Sequence, residues 1–508
     1  MRWPQTKLVT ALVAVAFTTA SPGHSDIQYP MSAATQCSLP GFVSNLSSDA
    51  EVYLPGSAQF DRFSERWSNL ETPIVNITIL PATDDVVKIV GAADKCNIPF
   101  LAYNGLHGSI TTLGRMDWGI AINLRKLSGV TIAADGQTAT IAGGTNSKVV
   151  IDELWAAGKQ TVTGTCECVS YLGPALGGGH GWLQGHYGLM ADQFVSLNIV
   201  LADGTLQTID ANSDLWWAMK GAGHNFGIVT SATIKIYPRT LTNWAIETLM
   251  FTGDKVKALY QAANDHLLRN GTQPADLINW SYWFNLPEVD PNNPIIAFYI
   301  IQEGVSVVDP AYTHPFRALS PLSATPNNGS YLDLARWVGI SLDAPPCQNT
   351  GTANPRFPLY LPAYNATAQQ EAYALFASAT NASESSPFAN SLFMFEGYPT
   401  QGVRGVSSAS TAYAFRGRDN NLLVAPLVQY MPTDAARDRE AAELGNRLRG
   451  ILQGGSGRAE MHAYVNYAYG DEDLEGWYGH ERWRRERLGK LKRKYDHRGR
   501  FSFYAPVV

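Results

Sequence analysis

The spacing of apolar residues in the first half of the chain predicts short strands that alternate with helices. Continuous or alternating apolar runs are typical of strands, whereas apolar residues at every third or fourth position indicate a helix. Thr83 precedes Asp84 and Asp85, which suits a helix start because threonine can cap it and acidic charge favours its first turn. We predict strands at 74–80, 98–104 and 227–238, and helices that start at 83 and cover 148–159.

Two segments carry Asp-Gly between apolar runs, which is a strong local signal for a β-hairpin. They lie at 130–141 and 197–209. After about residue 239 the apolar runs become longer and more aromatic, and prolines separate them. Here we predict strands at 244–251, 295–301 and 422–430, a helix at 434–452, and a surface loop at 354–364.

A chain of 508 residues is too long for one ordinary core, so two domains are expected. The change of texture places their junction near 239. The fold is expected to be mixed α+β; the first domain covers 21–238 with a core that starts near 73, and the second covers 239–440. Residues 441–508 form a C-terminal segment.

Composition excludes some function classes. The chain is 45% hydrophobic and 16% charged, as in globular proteins, and its net charge of −6 with a pI of about 5.9 argues against nucleic-acid binding. Its one basic concentration is at 482–500. Leu488, Leu491 and Tyr495 recur there at helical spacing, which favours a helix with one solvated basic face over a binding patch.

The N-terminus has the pattern of a signal peptide. Arg2 and Lys7 precede an apolar run at 8–20, and the small residue Ala20 suits cleavage after it. Thirteen residues are too few to span a bilayer, so we predict a secreted protein and no membrane anchor. Seven glycosylation sequons agree with secretion: Asn45, Asn76, Asn270, Asn279, Asn328, Asn365 and Asn381.

The cysteine count is odd, which requires an explanation in an oxidising compartment. The five cysteines are Cys37, Cys96, Cys166, Cys168 and Cys347. If the others pair, one thiol is left free or is used in another way.

Three glycine-rich stretches carry the candidate chemistry, and they lie at 103–109, 164–181 and 221–227. The first of them contains His107. Glycine lets backbone N–H groups approach a ligand closely. The last stretch superficially resembles a dinucleotide fingerprint, but a strand follows it where that fingerprint needs a helix. A metal site made of Cys166, Cys168, His180 and His186 is a second alternative, although Cys-x-Cys is not the usual zinc spacing. We expect no metal.

Four ordered motifs are similar to those of the berberine bridge enzyme-like FAD-linked oxidases, in the vanillyl-alcohol oxidase/p-cresol methylhydroxylase (PCMH) flavoprotein superfamily. They are YNGLHG, GTCECVSYLGPALGGGHGWLQGHYGLMADQ, DLWWAMKGAGHNFGIVT and YVNYAYGDEDLEGWYG. The resemblance covers about 70–240 and 460–508 and indicates a secreted fungal member. It implies a PCMH-type FAD-binding domain, a substrate domain built on an antiparallel sheet flanked by helices, and a C-terminal segment that returns to the first domain.

The resemblance also implies a flavin held by two covalent bonds, from His107 to the 8α-methyl group and from Cys166 to C6. It implies a disulfide between Cys37 and Cys96, with Cys168 and Cys347 either paired or free. The first stretch departs from the family's Arg-Ser-Gly-Gly-His at Tyr103, Asn104 and Leu106. The second loop, at 164–181, departs from the family pattern at Ser170, Tyr171, Leu172 and Pro174, whose side chains can crowd the pocket. The other implied FAD contacts are Asn104, Gly105, Leu106, Gly108, Ser109, Val169, Gly173, Gly177, Gly178, Gly179, Gly223, Gly227 and Ile228.

The resemblance supplies candidates for catalysis. Tyr464 matches the base of sugar-oxidising relatives, Asn466 would orient flavin or substrate, and Glu396 and Gln429 are further candidates. A tyrosine with its ordinary pKa of about 10 is a poor base unless a cation or the flavin stabilises its phenolate, and the alternative role of Tyr464 is that of a packed aromatic residue.

In relatives a residue shortly after the flavin-bound cysteine controls oxygen access, and by register this is Val169. We therefore expect a monomeric oxidase that takes a hydride from a small molecule and reduces O2 to H2O2. A dehydrogenase with another acceptor, or a flavin-binding protein with little turnover, remains an alternative.

Overall fold

The computed structural model describes residues 42–268, 271–381, 385–415, 417 and 420–507. The predicted signal peptide at 1–20 and Cys37 lie outside these residues. Among the helices that are described, none is long and apolar enough to cross a bilayer.

The first sheet is mostly parallel and carries a crossover helix. It contains β1 (Glu51–Tyr53), β2 (Val75–Leu80), β3 (Phe100–Tyr103) and β4 (Gly119–Asn123), in the order β1-β2-β4-β3. β2 and β3 both pair in parallel with β4, and β1 adds an antiparallel edge. The helix Thr83–Cys96 connects β2 to β3 and buries Val86, Ile89 and Val90, the apolar face that its sequence predicts.

The N-cap of this helix is Ala82, and Thr83 is the first helical residue. Asp85 supplies the capping interaction, because its carboxylate accepts a hydrogen bond from the N–H of Ala82 at 3.1 Å. The predicted cap at Thr83 is therefore wrong by one position, whereas the predicted helix and the acidic first turn are confirmed.

The second sheet is antiparallel and contains both predicted hairpins. Its five strands lie in the order β5-β6-β10-β8-β9, and they are β5 (Val130–Ile132), β6 (Thr138–Ala142), β8 (Phe194–Val200), β9 (Leu206–Ile209) and β10 (Ile228–Lys235). A separate two-stranded ribbon consists of β7 (Lys159–Gln160) and β11 (Tyr237–Pro238). β5 pairs with β6 and β8 with β9, so the Asp-Gly signals identified both turns.

The third sheet has seven antiparallel strands in the order β15-β12-β14-β13-β17-β18-β16. They are β12 (Trp244–Phe251), β13 (Leu277–Phe284), β14 (Ile295–Glu303), β15 (Ser323–Gly329), β16 (Leu359–Leu361), β17 (Leu392–Gly397) and β18 (Leu422–Leu427). The antiparallel sheet implied for the second domain is therefore present. Besides Thr83–Cys96, the longest helices are Val256–His266, Ala366–Thr380, Ala435–Gly455 and Arg482–Tyr495; the others are Ala58–Ser64, Ser147–Ala156, Leu172–Leu176, Gln184–Tyr187, Trp216–Met219, Pro310–Arg317, Leu334–Trp337, Gln401–Arg404 and Leu474–Tyr478.

Both faces of the seven-stranded sheet are buried, which explains its unbroken apolar runs. Along β13, Leu277 and Trp283 belong to a core that includes the helices Val256–His266 and Ala366–Thr380. Trp280 and Tyr282, which point to the opposite face because side chains alternate along a strand, belong to the core shared with the first domain. The sheet therefore presents an aromatic face to the first domain.

The segment 354–364, predicted as a surface loop, is instead largely buried and contains β16. β16 pairs with β18 and occupies the edge of the sheet, so a strand with prolines at both ends can be accommodated there. Pro358 and Pro362 flank the strand and do not need to donate ladder hydrogen bonds. The prediction was wrong because prolines that mark the ends of an edge strand were taken as a loop signal.

The C-terminal segment returns to the first domain. Lys492, on the helix Arg482–Tyr495, donates to the carbonyl of Asn225 at 2.9 Å and to Asp496 at 2.7 Å. Leu488 and Leu491 are buried as predicted, but Arg484 and Lys492 are buried as well. The helix and its solvated basic face are confirmed, since Arg482, Lys490, Arg493 and Lys494 are exposed. The two buried cations bond to neighbouring segments.

One predicted glycosylation position is excluded by the fold. Asn279 lies on β13, is 1% exposed and donates to the carbonyl of Tyr299 at 2.9 Å. A glycan on this side chain cannot be accommodated inside the sheet. Asn270 lies outside the described residues.

Candidate active site

A cavity of about 980 Å³ lies between the glycine-rich loops of the first domain and the aromatic face of the seven-stranded sheet. This volume is at the upper end of the range of roughly 300–1,000 Å³ that is usual for ligand and cofactor sites. The predicted site residues that line it are Asn104, Gly105, Leu106, His107, Gly108, Cys166, Val169, Gly173, Gly227, Ile228, Tyr464 and Asn466.

Other predicted cofactor contacts do not line the cavity: Ser109, Gly177, Gly178, Gly179 and Gly223. These glycines are required by close packing of the protein on itself. A Cβ atom on Gly177 would lie 2.1 Å from the side-chain oxygen of Asn466, and one on Gly178 would lie 2.6 Å from the ring of Tyr413. The triple glycine thus shapes the second loop from behind the cavity wall.

His107 lies in the loop that follows β3. Asn104 anchors this loop, because its side-chain amide donates to the carbonyl of Gly144 at 2.6 Å. Leu106 has a φ of 60°, a left-handed conformation that favours glycine, and glycine is what the family pattern has at this position. Leu106 is nevertheless buried, so its packing offsets the backbone strain.

The His107 imidazole stacks on Trp67, with ring centroids 5.3 Å apart. Burial, together with the positive charges of Arg356 and Arg66, lowers the pKa of His107 to about 3. The imidazole is therefore neutral at physiological pH, the state in which a ring nitrogen can act as a nucleophile. Arg66 fixes the loop beyond it by donating to the carbonyl of Gly108 at 2.7 Å.

Cys166 lies in the second loop, where three cysteines meet. Cys168 and Cys347 form a disulfide that joins this loop to the second domain. Cys96 is also disulfide-bonded, so among the described cysteines Cys166 is the free one. Burial raises the pKa of the Cys166 thiol to about 11.

The crowding expected from the second loop is only partly present. Leu172 and Pro174 line the cavity, whereas the Tyr171 ring is fully buried in the core of the first domain. Tyr171 therefore does not form part of the cavity wall beside Val169.

Tyr464 and Asn466 lie at a short helical turn in the C-terminal segment. The Tyr464 hydroxyl oxygen accepts hydrogen bonds from the Asn466 amide at 2.8 Å and from the N–H of His180 at 3.3 Å. Burial raises the pKa of Tyr464 above its usual value, which disfavours the phenolate that a tyrosine base needs. Asn466 also donates to the carbonyl of Pro174 at 2.9 Å, so it joins the second loop to this segment.

Glu396 on β17 lines the cavity, and its carboxyl group has a strongly shifted pKa. Its two carboxylate oxygens accept hydrogen bonds from Tyr467 and Tyr398, both at 2.9 Å. Burial raises the pKa of Glu396 to about 7, and the two tyrosines offset only part of that effect. A carboxyl group with such a pKa can exchange a proton near neutral pH.

Arg356 and Trp67 are site residues that sequence reasoning missed. The Arg356 guanidinium lies 4.4 Å from the Trp67 ring centroid and 4.6 Å from that of Tyr467, so it joins the His107 side of the cavity to Glu396. Arg356 was assigned to the supposed loop at 354–364, and no motif singled out Trp67. The fourth catalytic candidate, Gln429, lines the cavity and donates to Asn354 at 2.8 Å.

The residues of the alternative metal site have other partners. Cys168 is in a disulfide. His180 bonds to Gln184 and Tyr360 through its two ring nitrogens, both at 2.7 Å, and His186 bonds to Glu303 at 2.8 Å. The stretch 221–227 leads into β10, as predicted, and Gly227 lines the cavity.

The cavity fits a flavin. A neutral imidazole and a free thiol reach it from two loops, which is the donor set that two covalent bonds to an isoalloxazine require. Two buried donor atoms in its wall, Nε of Arg356 and Nε1 of Trp280, have no hydrogen-bond partner among the described residues, so they suit acceptor groups of a bound molecule.

Comparisons with known proteins agree on the family. A family model described as an FAD binding domain matches residues 77–210. The chain is 60% identical to the FAD-linked oxidoreductase chyH of Penicillium rubens over 91% of this chain and 92% of that protein. It is 55% identical to the FAD-linked oxidoreductase chry5 of Gibberella zeae over 91% and 93% of the two chains.

Solved structures share the fold at low identity. BBE-like 1 of Physcomitrella patens has a TM-score of 0.78 and 18% identity, over 93% of this chain and 99% of that chain. A xylooligosaccharide oxidase from Myceliophthora thermophila has a TM-score of 0.75 and 20% identity, over 90% and 97%. The chain belongs to the FAD-linked oxidoreductases and has the fold of the berberine bridge enzyme-like flavoproteins.

Proposed function

We propose that this protein is a secreted oxidase that removes a hydride from a small organic molecule, with O2 as electron acceptor and H2O2 as product. The flavin would be held by two covalent bonds, to His107 and Cys166. The observation that carries this proposal is that one cavity contains His107, Cys166 and the buried carboxyl group of Glu396.

The surroundings of His107 support covalent binding, whereas the raised pKa of Cys166 means that its thiol must lose a proton when the bond to the flavin forms. His107 is neutral, and Trp67 fixes the plane of its ring by stacking. Cys166 is free although two other cysteines lie beside it. When bound, FAD supplies the hydride acceptor, and the protein supplies position, charge and a base.

Glu396 is the base that the surroundings favour, in place of Tyr464. With a pKa of about 7, an appreciable fraction of Glu396 is ionised at neutral pH, whereas burial disfavours ionisation of Tyr464. Tyr467 and Tyr398 hold the carboxylate in one orientation. The proton that leaves the substrate's hydroxyl or amino group would be taken by Glu396, with Tyr467 positioned between this carboxylate and Tyr464.

The substrate side of the cavity favours an aromatic ring. The sheet and its neighbouring segment contribute Trp280, Tyr282, Phe284, Trp337 and Met394 to the wall. Such a surface stacks on a planar apolar molecule, and Gln429 and Arg356 provide a few polar contacts for orientation. We therefore propose an alcohol or amine of an aromatic secondary metabolite over a sugar.

Secretion and the acceptor rest on separate observations. The disulfides at Cys96 and at Cys168–Cys347 are typical of an oxidising compartment, in agreement with the signal-like N-terminus. Val169 lines the cavity and is smaller than a leucine or isoleucine that would restrict the approach of oxygen. We propose a monomer.

An anaerobic substrate screen tests the function. Loss of flavin absorbance is followed with aromatic alcohols, aromatic amines and oligosaccharides, and air is then admitted. We expect bleaching by an aromatic substrate, followed by recovery of the colour and release of H2O2. Bleaching by oligosaccharides alone would contradict the substrate class, recovery only with a quinone or dye would indicate a dehydrogenase, and no bleaching by any compound would indicate a flavin-binding protein with little turnover.

A further inference from the structure

The thiol of Cys166 lies against a disulfide that could have formed differently. Its Sγ atom is 3.6 Å from Sγ of Cys168 and 3.6 Å from Sγ of Cys347. Three thiols at such distances can form only one disulfide at a time. The choice of pair therefore decides which sulfur stays free.

Cys347 would stay beside Cys166 without the disulfide. Glu167, which lies between Cys166 and Cys168, accepts a hydrogen bond from the N–H of Leu342 at 2.9 Å, and its own N–H donates to the carbonyl of Ile340 at 3.2 Å. These bonds attach the chain just before Cys347 to the second loop. Loss of Cys168 would therefore leave two thiols in contact, Cys166 and Cys347.

The two possible competing pairs differ in stability. A disulfide between Cys166 and Cys347 would join residues 181 positions apart and the observed one joins residues 179 positions apart, so chain entropy favours both similarly. A disulfide between Cys166 and Cys168 would close a loop with one residue between the cysteines, which gains little entropy and constrains the geometry. Cys347 is therefore the competitor for Cys166.

We propose that the Cys168–Cys347 disulfide keeps Cys166 available for the cofactor, by occupying the one thiol with which Cys166 would otherwise pair. This inference rests on the proposed function in assigning Cys166 to the flavin. Cys168 then acts on the attachment at Cys166 through Cys347, and its Sγ atom also lies 3.3 Å from Nε2 of His107.

The competing reaction is an ordinary thiol oxidation. In a chain without Cys168, the thiols of Cys166 and Cys347 lose two electrons and two protons and form one S–S bond. Oxidised glutathione, the acceptor, becomes two molecules of reduced glutathione. A sulfur in that disulfide has no thiol left with which to bond to flavin C6.

The test compares Cys168→Ser, Cys347→Ser and the double variant with the wild type, each produced by secretion. Free thiols are alkylated with iodoacetamide in denaturant, and peptide mass spectrometry then reports whether Cys166 is flavin-bound, alkylated or linked to Cys347. All three variants lack the same disulfide, so Cys347→Ser and the double variant are matched controls for any general loss of structure.

We expect a Cys166–Cys347 linked peptide in Cys168→Ser, with loss of flavin from Cys166 and retention on His107. The double variant should regain flavin on Cys166, and Cys347→Ser should keep it. A Cys166 that stays unlinked in Cys168→Ser, or a double variant as deficient as the single one, would overturn the inference. The linked peptide is scored without reference to flavin, so a wild-type Cys166 that is only alkylated would count against the proposed tether and not against the pairing.

Discussion

The hydroxyl group of Tyr467 donates a hydrogen bond to Oε1 of Glu396 at 2.9 Å. The same Tyr467 ring lies 4.6 Å from the Arg356 guanidinium, which in turn lies over Trp67, the ring on which His107 stacks. A continuous series of contacts therefore connects the proposed flavin attachment to the proposed base. A change at either end is expected to affect the position of the other.

The first prediction concerns the pH dependence of flavin reduction. Because burial raises the pKa of Glu396 to about 7 and the base must be ionised, the rate should rise with pH through about 7 and then level off. Anaerobic stopped-flow mixing with substrate at a series of pH values measures this rate. A rate that does not change across this range would contradict the assignment.

Substitution separates the two candidate bases. Glu396→Gln keeps the shape of the side chain but removes the proton acceptor, so flavin reduction should slow by a factor on the order of 10²–10⁴. Tyr464→Phe removes a hydroxyl whose pKa burial already raises, so its effect should be at least about tenfold smaller. The reverse order of the two effects would restore Tyr464 as the base.

Glu396 should also make stability depend on pH. Its folded pKa of about 7 lies above the ordinary glutamate value of 4.5, so its contribution is fully present below about 4.5 and is lost as pH rises through about 7. Relative to Glu396→Gln, the wild type should therefore lose about 3 kcal/mol of unfolding free energy between acid and pH 8, at 1.36 kcal/mol per pKa unit. Urea unfolding at both pH values tests this, with the exposed Glu443→Gln as control. If the unfolding free energies of all three proteins changed with pH in the same way, the pKa of Glu396 would not be raised by burial.

Val169 tests the choice of electron acceptor. Val169→Ile and Val169→Leu add bulk to the cavity wall where Tyr171 does not fill the space, so they should slow reoxidation by oxygen. Reduced protein is mixed with air-saturated buffer, and recovery of flavin absorbance is followed. Fast wild-type reoxidation that is unchanged in both variants would refute the gate, and slow wild-type reoxidation with fast turnover on a dye would identify a dehydrogenase.

Sequence patterns predicted much of the fold because local signals and packing agree. The strand predicted at 244–251 is β12, with the same bounds, and both Asp-Gly hairpins form. The glycine-rich stretch 103–109 singled out His107, whereas the role of Cys166 was implied only by the family resemblance. The exact N-cap of the helix Thr83–Cys96 could not be predicted, because the capping hydrogen bond is made by the Asp85 side chain.

The rest of the site depends on contacts between residues far apart in sequence. Arg356 lies beside Trp67 only because β16 completes the edge of the seven-stranded sheet, and its prolines suggested a loop. The raised pKa of Glu396 depends on burial that its strand cannot reveal. Likewise, the pairing of Cys168 with Cys347 follows from how the second loop meets the second domain, and spacing alone left it open.

The most direct test is whether flavin stays on the denatured protein. The protein is precipitated with acid, flavin is measured in the supernatant and the pellet, and the pellet's peptides are analysed by mass spectrometry. The wild type should keep its flavin in the pellet on a peptide pair that contains both His107 and Cys166. Each single variant, His107→Ala or Cys166→Ala, should keep it through the other residue, and the double variant should release it. A yellow supernatant from the wild type would contradict the covalent attachment on which this account rests.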